Sequence, residues 1–124
     1  GLKSEPAAVS GKDEQFVNEL LNHMREQQPY LDPELNITKL SNDLRVSPDY
    51  FSGILNGRLN MNFFDFINHY RIEEFKVQCR KPENNHLSIM GIAFECGFNS
   101  KATFNRVFKK VTNLTPSEFK QKSQ

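Results

Sequence analysis

The chain has 124 residues, 37% of them hydrophobic and 25% charged, a balance that suits one globular domain or two very small ones rather than a disordered tail. No apolar run approaches the ~18–20 residues a membrane span needs, and the polar stretch Gly1 to Gln15 lacks signal-peptide character. The formal net charge of +1 hides an asymmetry: six Lys/Arg against ten Asp/Glu up to Asn68 give −4, and ten against five from His69 onward give +5. Such a split points to a localised polyanion contact.

Residues 1–12, with Gly in place of an initiator Met and the run SEPAAVSGK, read as a leader, and the whole as a piece of a larger protein. Phe16, Leu20, Leu21 and Met24 recur at helical spacing and predict a first helix near 13–27, which Pro29 and Pro33 follow. Asn36 is the expected N-cap of a short helix that carries Ile37, Leu40 and Leu44 inward. Ser47-Pro48 opens a third helix with the buried stripe Tyr50, Phe51, Ile54 and Leu55. Gly57 is expected to end it in a left-handed turn.

The longest helix is expected at 62–80, with Asp65 favoured in its first turn by the helix dipole. At about 100° per residue, Phe63, Phe66, Ile67, Tyr70 and Val77 share one face, and Phe64, Ile72, Phe75 and Cys79 lie across from it. A helix apolar on two faces is buried on both. It reads as a strut between two small helical subdomains; a central helix in one undivided core is the simpler alternative. After the polar loop 82–86, Ser88 caps a fifth helix with Ile89, Ile92 and Ala93 inward, Gly97 ends it, and Ser100 caps a sixth. Thr115-Pro116-Ser117-Glu118 is a capping box with Pro at the first helical position.

No segment alternates as a strand does, so the fold class is all-α, with about seven helices. SPDYFSGILN (Ser47 to Asn56) also repeats the pattern of SKATFNRVFK (Ser100 to Lys109): Ser, three variable residues, Phe, a small polar residue, one variable residue, two apolar residues. Two helix-turn-helix units therefore fall at about 36–57 and 88–112, joined by the linker helix, inside a domain spanning 13–124. A linker of ~19 residues is about 28 Å long at ~1.5 Å per residue, comparable with one turn of duplex DNA, roughly 34 Å.

The sixth helix holds the candidate chemistry. Phe104, Val107, Phe108 and Val111 form its expected core stripe, and Lys101, Ala102, Asn105, Arg106, Lys109 and Lys110 point away from it. Asn105 and Arg106 carry the paired donors and acceptors that read adenine and guanine edges, and Ala102 permits close approach and a contact with a thymine methyl. Lys109 and Lys110 suit phosphates. The bland alternative is an ordinary solvated basic face. In the third helix the outward positions are Asp49, Ser52, Gly53 and Asn56, without a cation. This helix either reads bases lightly through Ser52 and Asn56 or only scaffolds, with Arg58 as a candidate backbone contact. The helix starts at Asn36, Ser88 and Thr115 offer unpaired amides to phosphates.

Nothing catalytic assembles. His23, His69 and His86 have no partners at ligand spacing, so neither metal nor cofactor is expected. Cys79 and Cys96 read as small buried hydrophobes in a reducing cytosol. There is no glycine-rich phosphate loop, and the Phe residues sit at core spacing rather than forming a stacking platform for single strands.

The pattern Ile92-Ala93, Gly97-Phe98, Phe104, Arg106, Phe108-Lys109, Thr115-Pro116, Phe119 resembles the C-terminal signature of AraC-type transcriptional regulators. The resemblance runs from about Phe16 to Lys120. It implies two helix-turn-helix units joined by a long helix, sequence-specific binding of double-stranded DNA in a cytoplasmic bacterial regulator, and no enzyme activity. Carried over by position, the second reader would use Lys101, Ala102, Asn105 and Arg106, and the first Asp49, Ser52 and Gly53. Gly53 stands where many members have Arg, Asn56 where many have Lys, and Asn60 where a glycine is frequent, so the second unit is expected to dominate. The resemblance also implies an N-terminal sensing or dimerising domain in the parent, membrane-anchored in some members, and possible contact with the transcription machinery. The alternative is a helical protein-interaction module that kept the fold and lost DNA affinity.

Overall fold

A computed structural model describes residues 11–123. Most of the expected leader, residues 1–10, lies outside them, while Gly11 and Lys12 already belong to the first helix. Among the described residues there are seven α-helices and no strand: α1 (Gly11–Gln27), α2 (Ile37–Asp43), α3 (Pro48–Ile54), α4 (Phe63–Arg80), α5 (Ile89–Glu95), α6 (Lys101–Thr112) and α7 (Pro116–Lys122). None is long and apolar enough to cross a membrane.

The helix starts follow local chemistry. Asn36, Ser47, Ser88, Ser100 and Thr115 each accept a hydrogen bond from the backbone amide three residues on, satisfying a donor that the helix leaves unpaired. At Thr115 the box is complete. Glu118 N donates to Thr115 Oγ1 at 3.1 Å, and Thr115 N donates to Glu118 Oε1 at 2.7 Å. The backbone donor at Thr115 holds the Glu118 carboxyl below its usual range, with the Thr115 hydroxyl adding to the effect.

The described residues divide into two compact units, one of residues 11–29 and 36–62, the other of residues 30–35 and 63–123. In the first, Phe16, Val17, Leu20, Met24, Leu40, Phe51, Ile54 and Leu55 are buried. Phe16 of α1 meets the rings of Tyr50 and Phe51 edge-on, at centroid distances of 5.3 and 5.6 Å. The Tyr50 hydroxyl donates to Asp13. Desolvation, followed by that bond, pushes the Tyr50 phenol up to about 12. Leu21, which shares the helical spacing of these residues, is 41% exposed, and its neighbour Leu20 is wholly buried.

The end of α3 departs from expectation. Gly57 does not make a left-handed turn. The chain instead passes into a π-type turn, Leu55–Leu59, and Asn60 supplies the left-handed residue at φ 54°, ψ 40°. A π-turn adds one residue per turn and so shifts the stop past the glycine. Asn tolerates the left-handed region better than most side chains do.

The second unit packs around Ile72, Phe75 and Cys79 of α4, Ile92, Ala93 and Cys96 at α5, Phe98, Phe104, Val107 and Phe108 at α6, and Phe119 of α7. Its centre is a run of aromatic contacts: Phe75 lies 5.0 Å from Phe104 and 5.4 Å from Phe108, which in turn lies 5.6 Å from Phe119. Offset and edge-on geometries of this kind suit the quadrupoles of the rings. Three expected core residues are outside it. Phe64, Val77 and Val111 are 50%, 49% and 40% exposed. An apolar residue at helical spacing is buried only where another element covers that stretch of the helix.

Candidate nucleic-acid interface

Each unit contains a short helix, a tight turn and a following helix. In the first, Leu44 caps α2 and Arg45 takes a left-handed conformation at φ 60°. In the second, Cys96 caps α5 and Gly97 sits at φ 105°. In both turns the next amide reaches back into the helix: Val46 N donates to Ser41 O at 3.0 Å, and Phe98 N to Ala93 O at 3.2 Å. The buried Phe of the repeat pattern, Phe51 or Phe104, then anchors the second helix, and each is fully buried.

In α6 the inner face is Phe104, Val107 and Phe108, all buried. Lys101, Ala102, Asn105, Arg106, Lys109 and Lys110 are all exposed, on the opposite side. Neither the Asn105 nor the Arg106 side chain carries a hydrogen bond or ion pair within the described residues. Lys109 Nζ donates to Asn113 O at 3.1 Å, at the helix C-terminus, where a cation meets the negative end of the dipole. Lys110 Nζ lies 3.8 Å from Asp65, with both side chains well exposed, so that pair is weak.

Lys101, Asn105 and Lys109 form one wall of a groove of about 600 Å³, and Ile89, Met90, Thr115, Pro116 and Ser117 complete its lining. The starts of α5 and α7 thus flank the outer face of α6. Met90 and Ser117 carried no sequence signal of their own. The Ser88 cap and the proline-opened box at Thr115 mark the helix starts that place them.

In α3, Asp49 and Gly53 are exposed and Ser52 is half-buried, whereas Asn56, expected on the same helix, is exposed in the π-type turn that follows it. A Cβ added at Gly53 would meet nothing within 4 Å. This face carries one carboxylate and no cation. Arg58 is held by Glu14 of α1 at 2.8 Å, its side chain 26% exposed. The buried Cys79 and Cys96 are free thiols, both pushed up by burial, Cys96 to about 12. Among the described residues no group of three His, Cys, Asp or Glu side chains could hold a metal ion.

A family model described as a helix-turn-helix domain matches residues 40–122. The chain belongs to this helix-turn-helix family, in its AraC-type form. It is 30% identical over 76 residues to the HTH-type transcriptional regulator YijO of Escherichia coli, an overlap of 61% of this chain and 26% of that protein. It is 33% identical over 92 residues to the transcriptional regulatory protein YesN of Bacillus subtilis, an overlap of 73% and 24%. The matched region is about a quarter of the length of those relatives.

Solved structures share the fold. The C-terminal domain of AraT, a response regulator from Geobacillus stearothermophilus, superposes with a TM-score of 0.69 at 20% identity, covering 94% of this chain and 88% of that one. A Chromobacterium violaceum transcriptional regulator, one of the AraC-type DNA-binding domain-containing proteins, gives 0.73 at 17% identity, covering 92% and 96%.

Proposed function

We propose that this chain binds double-stranded DNA sequence-specifically in transcription regulation, with α6 as the principal major-groove reader and α3 as an auxiliary one. The observation that carries this reading is the outer face of α6, where Asn105 and Arg106 stand exposed and unpaired between lysines. Arg and Asn are the side chains whose donors and acceptors match guanine and adenine edges. Lys101, Lys109 and Lys110 neutralise phosphates around them. Ala102 lets the helix backbone approach the groove floor.

The groove beside α6 gives the duplex backbone a place to lie. Its far wall is made by the starts of α5 and α7, whose N-terminal dipole ends favour a phosphate. Ser52 of α3 and Asn56 of the π-type turn after it supply hydrogen-bonding groups without a long cation, while Asp49 repels phosphate. Unequal readers follow from that difference. Dimerisation through an N-terminal domain of a longer parent and contact with the transcription machinery belong to the same proposal.

Selection of bound sites from a random duplex pool, followed by affinity measurement across a salt series, tests this reading. Enrichment of a defined site, bound far more tightly than random duplex and weakened by salt, is the expected result. Equal weak affinity for every duplex would reduce the chain to a non-specific basic surface, and no affinity would sink the proposal.

A further inference from the structure

Residues 30–35 lie between α1 and α2 in sequence, yet by contact they belong with the second unit. They form a short strap built on its own turn. Glu34 N donates to Asp32 Oδ1 at 2.8 Å, and Leu35 N donates to Asp32 O at 3.1 Å. Tyr30 is 5% exposed, and its ring stacks on Tyr70 of α4 at 5.4 Å.

Arg71 of α4 grips the strap. Arg71 Nε donates to Tyr30 O at 2.7 Å, Arg71 Nη2 donates to Asp32 O at 2.9 Å, and its guanidinium lies 6.0 Å from the Phe98 ring centroid. Gly97 completes the arrangement. A Cβ there would fall 2.1 Å from Tyr30 O and 2.7 Å from Arg71 Nε, so strap and guanidinium rest directly on the turn. That turn launches α6, and Phe98 meets Phe104, the first core residue of α6, at 5.0 Å.

We propose that Arg71 is a positioning residue for the second reader: its guanidinium clamps the strap Tyr30–Leu35 onto the Gly97-Phe98 turn and so fixes the entry of α6. A planar fork holds two carbonyls in a fixed geometry while its face covers a ring, an arrangement that the point charge of an ammonium reproduces less well. The proposal rests on the reading of α6 as a DNA reader for its consequence, but not for the clamp itself.

The test uses the full chain with Arg71→Ala and the milder Arg71→Lys, and has two arms. Amide hydrogen exchange, resolved by NMR, should accelerate by about tenfold or more at residues 30–35 and 97–100, the scale of losing hydrogen bonds from a charged donor. Core amides of α1 and α3 should keep their rates. Arg71→Lys should give the same local pattern at smaller size. In the second arm, the ratio of affinities for the selected and random duplexes should fall by about tenfold, as when one base-edge contact loses its register.

Uniform acceleration along the chain, or an unchanged turn in both variants, would overturn the clamp. Local acceleration with an intact affinity ratio would overturn the positioning role. If the wild-type chain fails to discriminate between duplexes, the DNA reading falls, and the exchange arm still decides whether the clamp exists.

Discussion

Ser41 and Ala93 hold the same place in the two helix-turn-helix units, and only one of them suits it. Each is fully buried, and each offers its carbonyl to the amide that closes the following turn, at 3.0 and 3.2 Å. Ala93 fills its place without a side-chain polar atom, whereas the Ser41 hydroxyl is buried with no hydrogen-bond partner among the described residues.

Ser41→Ala is therefore expected to stabilise the protein by about 1 kcal/mol, because it removes an unsatisfied hydroxyl and leaves the volume nearly unchanged. Ala93→Ser should do the reverse, costing about 1–3 kcal/mol. Denaturant midpoints with unchanged slopes check both. A destabilised Ser41→Ala would show that the hydroxyl has a partner in solution.

The two turn residues give a second contrast. Arg45 is exposed and left-handed at φ 60°, a conformation that costs an L-residue roughly 1–2 kcal/mol. Arg45→Gly should relieve most of that, and after the extra chain entropy of glycine a net gain of up to about 1 kcal/mol remains. Gly97→Ala should cost about 3 kcal/mol or more, since it combines backbone strain with a collision against a backbone carbonyl. Thermal melting of both variants separates the cases. A Gly97→Ala protein that melts with the wild type would refute the strap's close approach.

Arg106→Ala should weaken binding to the selected duplex by about 1–3 kcal/mol and relax specificity at one position. Lys109→Ala and Lys110→Ala should weaken all duplexes alike, each lowering the salt slope by about one unit. The ties of Lys109 to Asn113 and of Lys110 to Asp65 are exposed and do not bar either from phosphate. Equal losses on selected and random duplexes for Arg106→Ala would make it a phosphate contact only. An unchanged slope in both lysine variants would remove them from the interface.

At Gly53 an added Cβ would meet no neighbouring atom within 4 Å, so a side chain can start there without collision. Gly53→Arg should stabilise the exposed helix interior by up to about 1 kcal/mol, as glycine is the poorer helix former. It should also tighten duplex binding, because it adds a donor fork to a face that has none. Melting temperature and duplex affinity, measured together, distinguish the two effects. A variant that melts higher and binds no better at any salt would leave α3 as scaffold.

Much of this protein was written locally in its sequence. Five helix starts were legible because a cap is a bond between a side chain and an amide three residues away, which needs no distant partner. The all-α class, the seven helices and the opposition of Phe104 and Arg106 follow from periodicity and are equally local. Gly97 was legible as the stop of α5 because its positive φ demands glycine.

What the tertiary structure decided was which apolar residues find cover and which partners meet across the chain. Leu21, Phe64, Val77 and Val111 have helical spacing but stay exposed, since burial depends on whether another element reaches them. The stop at Asn60 rather than Gly57 came from an inserted π-turn. The groove beside α6, the tie between Arg58 and Glu14, and the strap under Arg71 join residues far apart in sequence. Periodicity places a side chain on a face of its own helix, and only the packing of helices determines what that face meets.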